Sequence, residues 1–135
     1  MKALITLLIV IASINLNAQG WIGHTDSSIT ESITELSLDV KKTEAVNTNG
    51  IRYTSLLGEN YEWVLFHNEN GLVYQSRLIS LNIEEFLGNM KHVKATYTDT
   101  GDGWIKMFTY GAVTIDLEMS EASPFPVFLY GFKYY

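Results

Sequence analysis

The chain contains no Cys, so imidazole, carboxylate and hydroxyl groups are its main stock of metal-ligating and nucleophilic side chains. A zinc site would need all three histidines, His24, His67 and His92, together with a carboxylate. Their spacing matches no His-x-x-x-His or Glu-x-x-His arrangement, so turn-flanking surface positions are the simpler reading and no metal is expected. Asp99-Thr100-Gly101-Asp102-Gly103 brings two carboxylates close together, as calcium requires. Gly stands where an EF-type loop places its second and third ligands, and Tyr110 stands where the bidentate Glu belongs, so a hairpin turn fits better. His24-Thr25-Asp26-Ser27 holds the residue types of a nucleophilic triad. Consecutive residues rarely point at one another and no Gly-x-Ser-x-Gly elbow is present, so capping of a helix by Asp26 to Ser28 accounts for them. Asp116 and Glu118 share one strand face about 6–7 Å apart, inside the range of a glycosidase carboxylate pair. Any solvated strand shows the same alternation, so no catalytic residue and no cofactor is assigned, and a carboxylate-dependent hydrolase is the least favoured reading.

Aromatic side chains are the more informative group. Three Trp, eight Tyr and six Phe are too many for the core of so short a chain, so some must face outward. Tyr61, Trp63, Leu65 and His67 fall on one face of a strand whose other face carries Glu62, Val64 and Phe66. Trp104, Lys106, Phe108 and Tyr110 share a face in the same way. Trp and Tyr join a large apolar area to a polar tip, which suits protein interfaces and sugar stacking alike. Trp63, Tyr74, Trp104 and Tyr110 are therefore the candidate binding residues.

Those residues must be carried by the chain that follows a targeting segment. Lys2 supplies a positive start and Leu4 to Ile14 an almost unbroken apolar run, shorter than the about 20 residues a membrane-spanning helix needs. Ala18-Gln19-Gly20 then offers small residues to a signal peptidase, with cleavage after Ala18 or after Gly20 both open. Residues 1–20 read as a signal peptide and residues 21–135 as one exported domain, periplasmic or extracellular, with no membrane anchor. Removal of the leader takes away one Lys and leaves 8 basic against 15 acidic residues, a net charge of −7. Such a surface argues against nucleic acid as a partner, which is itself a polyanion.

Ser28-Ile29-Thr30-Glu31 has the spacing of a capping box, with Ile29, Ile33 and Leu36 on one helical face. Asn82-Ile83-Glu84-Glu85 has a similar cap spacing, followed by Ile83, Phe86, Leu87 and Met90 on one face of a second short helix. Elsewhere period-two alternation between Gly and Asn turns predicts strands. Tyr61–His67 and Leu72–Ser80 flank Asn68-Glu69-Asn70-Gly71, and 93–98 and 104–110 flank the Asp99 to Gly103 turn. Val113, Ile115, Leu117 and Met119 form the inner side of a further strand, and Val127 to Tyr134 the last. The class is α+β: an antiparallel sheet of six or seven strands with two short helices.

Ser28 and Asn82 stand 54 positions apart, and the strands follow each at similar offsets, so a tandem α-β-β-β duplication with halves 25–80 and 81–135 is expected. This order of elements, with the leader, resembles β-lactamase inhibitor protein-like domains, which are small, exported and built from tandem helix-plus-antiparallel-sheet units. That family's characteristic disulfides are impossible here. The resemblance implies that binding another protein is a role the scaffold can fill. The sequence-level expectation is an exported, non-catalytic module that contacts a protein or peptide through an aromatic sheet face. The alternative is a carbohydrate- or small-ligand-binding module of the cell envelope. Self-association through the aromatic C-terminal strand, taken as an exposed edge, is open as well.

Overall fold

The computed structural model describes residues 20–109, 111–121 and 123–134. The signal-peptide reading falls almost wholly outside the described residues, and so does Tyr110. Helix α1 spans Asp26–Glu35 and helix α2 spans Ile83–Thr96. Strands β1 (Lys41–Val46), β2 (Arg52–Leu57), β3 (Tyr61–His67) and β4 (Val73–Ser80) follow α1, while β5 (Thr98–Asp99), β6 (Trp104–Met107), β7 (Gly111–Glu118) and β8 (Val127–Tyr134) follow α2. All eight form one antiparallel sheet in the order β1-β2-β3-β4-β8-β7-β6-β5. Each half is thus a helix and a four-stranded meander, and the halves meet where β4 pairs with β8.

The eight strands correct the smaller number read from the sequence. β1 has an almost fully exposed run, Lys-Lys-Thr-Glu-Ala-Val, without the apolar alternation that marks a strand. Val93 to Thr96, read as strand for their β-branched residues, continue α2, where Val93 follows Phe86 and Met90 onto the buried side. Each half therefore holds four strands and not three. β8 lies between β4 and β7 and is no edge of the sheet: Phe128–Gly131 pair on both sides, while Phe132–Tyr134 pair with β7 alone. The true edges are β1, which carries Lys41, Lys42 and Glu44, and the two-residue β5, both poor templates for pairing with another chain.

The cap of α1 lies one turn earlier than the Ser28 spacing suggests. Thr25 is the N-cap and Ser28 its N3 partner: Ser28 N–H donates to Thr25 Oγ1, and Thr25 N–H donates to Ser28 Oγ at 2.8 Å. Asn82 caps α2 as read, its side-chain oxygen accepting from Glu85 N–H at 2.8 Å. Both helices lie on the same face of the sheet. α1 is fixed over β1–β3 by Ile29, which is fully buried, by the Asp26–Arg52 ion pair, and by Lys42 Nζ donating to Thr30 Oγ1. α2 lays Phe86 against Phe125 and Phe128, with Asn89 donating to Ser80. Register places Leu56, Trp63 and Leu78 in one row across the covered face, and Ile115 and Tyr130 in another. The opposite face carries Tyr53, Val64, Phe66, Ile79 and Leu129, all half-exposed, with the Arg77 guanidinium 5.5 Å from the Phe66 ring centre.

Candidate functional site

Strand alternation sends Val113 and Phe132 to the covered side of β7 and β8, and a register shift in the β3–β4 pairing, where Val73 faces His67 while Gln75 faces Phe66, turns Val73 to the same side. The helices occupy other parts of this face, and over these three residues a cleft of about 770 Å³ opens. Its walls come from three connections. Ile22 and Gly23 precede α1 and are tied down where Gly23 N–H donates to the Val73 carbonyl and Val73 N–H donates to the His24 carbonyl. Asn68 and Leu72 belong to the β3–β4 hairpin, whose turn closes at Gly71 with φ +80°. Phe108 comes from the β6–β7 connection, with Lys106 Nζ 5.6 Å from its ring centre.

Tyr74 and Tyr134 complete the rim, and Tyr134 meets Phe132 edge-on at 4.7 Å between ring centres. Gly111 makes room for that pair: a Cβ there would stand 2.6 Å from Phe132 Cζ and 2.4 Å from the Lys133 carbonyl oxygen. Among the described residues no carboxylate, imidazole or ammonium lines the cleft. Asn68 spends its side-chain oxygen on its own turn, accepting from Asn70 and Leu72 N–H groups, which leaves its amide nitrogen and two phenols as polar handles. Such a mostly apolar cleft with few polar groups has the character of a small-molecule binding site.

A second cavity, about 290 Å³, lies between α2 and the covered face and is bounded by Trp63, Tyr61, Tyr130, Glu85, Asn89 and His92, among others. Burial pushes the Tyr130 phenol above its ordinary range and the Tyr97 phenol as well, with the neighbouring Tyr130 adding to the latter. Tyr61 moves the same way through burial and the nearby Glu85 and Asp39. These phenols stay neutral and act as packing groups.

The candidate residues read from the sequence are dispersed. Trp63 is 7% exposed and packs 5.3 Å from Tyr130 between ring centres, so it belongs to the core and the smaller cavity. Tyr74 stands on the rim of the large cleft. Trp104 is half-buried opposite Ile115 on the covered face, four strand steps or about 19 Å from β3, so the two Trp residues form no common patch. Asp116 and Glu118 are exposed on the uncovered face and line neither cavity. The three histidines lie apart: His24 bonds Ser28, His92 borders the small cavity, and His67 is buried.

A grouping of hydroxyl, imidazole and carboxylate does form around His67. Its Nδ1 donates to the Gly71 carbonyl at 3.2 Å, and its Nε2 shares a hydrogen bond with Thr54 Oγ1 at 2.8 Å. Asp26 Oδ1 stands 3.6 Å from the same Nε2. Burial alone would raise the Asp26 pKa, but the Arg52 hydrogen bond and the charges of Arg52, His67 and Lys42 hold it below 3.8. Thr54 is 0% exposed and lines neither cavity, so no substrate reaches this hydroxyl. The cluster anchors the start of α1 to the β2–β3 hairpin.

Leu72, Val73, Phe108, Val113 and Phe132 carry the cleft and went unnoticed as site residues. Alternation along β7 and β8 places Val113 and Phe132 on one face, but only the β4–β8 pairing, between the two halves, brings Val73 beside them. Among the described residues no helix is long and apolar enough to cross a membrane, and no group of three or more acidic or imidazole side chains could hold a metal ion. No known protein family, curated protein or solved structure matches this chain.

Proposed function

We propose that this protein is an exported, non-catalytic binding module that holds a small, uncharged, largely apolar molecule in the cleft over Val73, Val113 and Phe132. The observation that carries this reading is the lining. A space of about 770 Å³ falls in the 300–1,000 Å³ range typical of small-molecule sites, and aliphatic and aromatic side chains supply most of its wall. A free sugar would want several fixed donors and acceptors, and this wall has few to give. The Lys2 and Leu4–Ile14 pattern supports export, which would expose the cleft to molecules of the envelope or medium.

The test is a fluorescence titration with N-phenyl-1-naphthylamine, a neutral aromatic probe that brightens in apolar surroundings. Saturable one-to-one binding is expected. Leu72→Arg, which sets a charge into the wall, should weaken it at least tenfold, and Tyr53→Ala on the opposite face should leave it unchanged. Equal affinity in Leu72→Arg, or no saturable binding at all, would overturn the reading.

A protein partner is the second reading, favoured by the half-exposed Val64, Phe66, Ile79 and Leu129, which alternate with Glu62, Gln75 and Arg77 on the uncovered face. In that case Phe66→Asp should abolish capture of the partner and leave probe binding in the cleft intact.

A further inference from the structure

The segment before α1 is built into the covered side of the sheet. Gly20 accepts through its carbonyl from Ser76 Oγ at 2.6 Å, and Ser76 is 0% exposed. A Cβ at Gly20 would stand 2.5 Å from Tyr130 Cγ, and its φ is +61°. Trp21 follows at φ +68° and is 2% exposed, and the paired Gly23 and Val73 continue the strap into the cleft wall.

From this we propose that the leader is removed at the Ala18–Gln19 bond and not at Gly20–Trp21, so that the mature chain begins at Gln19. The inference rests on the export reading above. Small residues at Ala18 and Gly20 make both bonds acceptable in sequence, and the two products differ in what they can fold into. Hydrolysis after Gly20 would remove the acceptor of the buried Ser76 hydroxyl and place a new α-ammonium on Trp21, a residue almost without solvent contact. A buried polar group that loses its partner and a buried charge are both unfavourable. Hydrolysis after Ala18 places the new carboxylate on Ala18 and the new amine on Gln19, and keeps the Gly20 carbonyl within a peptide bond. Gln19 at a free N-terminus can then cyclise: its amine attacks the side-chain amide carbon, a lactam forms and ammonia leaves.

The experiment is intact-mass and N-terminal peptide spectrometry on protein made from the full-length gene and recovered outside the cytoplasm. The first residue should be Gln19, open or as the lactam that is one ammonia lighter. A chain beginning at Trp21 would overturn the assignment of the cut. A chain still carrying Met1 and retained inside the cell would overturn the export reading instead, so the two failures are distinguishable.

Discussion

Gly20→Ala is the sharpest perturbation of the segment that closes the cleft. The new methyl would sit 2.5 and 2.6 Å from Tyr130 Cγ and Cδ2 and 2.9 Å from Ser76 Oγ. Neither neighbour can retreat freely, because Tyr130 is 2% exposed and wedged against Trp63 while Ser76 is held in β4. Overpacking of this kind costs about 1–3 kcal/mol. The φ of +61° adds about 1–2 kcal/mol for a residue with a Cβ. Together they predict a loss of about 2–5 kcal/mol, a large share of the about 5–15 kcal/mol a domain of this size holds. Urea unfolding followed by Trp fluorescence would read it as a lower midpoint with an unchanged slope. A loss below about 0.5 kcal/mol would refute the placement of Gly20 in the core and with it the reasoning for the strap.

Three further outcomes are open to measurement. Trp63→Ala should destabilise the protein by about 3–5 kcal/mol in the same assay, because it empties a site beside Tyr130; a loss under about 1 kcal/mol would show that Trp63 is a surface residue after all. Asp26→Asn should cost at most about 1 kcal/mol at neutral pH, since the pair with Arg52 is partly open to solvent. The Asp26 carboxyl is held below 3.8, so its contribution is present above that value and is lost as pH falls through the lower folded one. Wild type and variant stabilities should accordingly converge in acid, and a difference that persists there would exclude the charge as its source. Burial lowers the His24 pKa below 6.5, so the unfolded chain takes up the proton first as pH falls. Stability should therefore rise with pH through a window that ends near 6.5, and His24→Gln should flatten that rise. An unchanged slope in the variant would assign the effect elsewhere.

Local chemistry was the legible part of this fold. The β3–β4 hairpin follows from Asn68 and Gly71, whose side chain and positive φ close the turn, and the β8 bounds follow from Pro126 and the apolar run after it. Asn82 marks the start of α2 because Glu85 follows it at cap spacing while Ser80 is taken up by β4, whereas Thr25 and Ser28 are both cap residue types and the earlier one prevails. Alternation failed for β1, an edge strand that buries almost nothing and so carries no apolar signature. It failed again at Val93, where a β-branched residue serves a helix because its position one turn beyond Met90 turns it inward. The cleft was illegible for a different reason. It is assembled from both halves, and which strands become neighbours across β4 and β8 depends on packing that no short window of sequence contains. The aromatic residues divide between two environments that composition does not distinguish: Trp63 is in the core, while Phe108, Phe132 and Tyr134 line the cleft.

The most direct test of ligand binding in the cleft is a methyl-resolved NMR titration of the protein with N-phenyl-1-naphthylamine. Saturable shifts confined to Ile22, Leu72, Val73 and Val113, with Val64, Ile79 and Leu129 on the uncovered face unmoved, are the predicted result. Shifts on the uncovered face alone, or none at saturating probe, would contradict it.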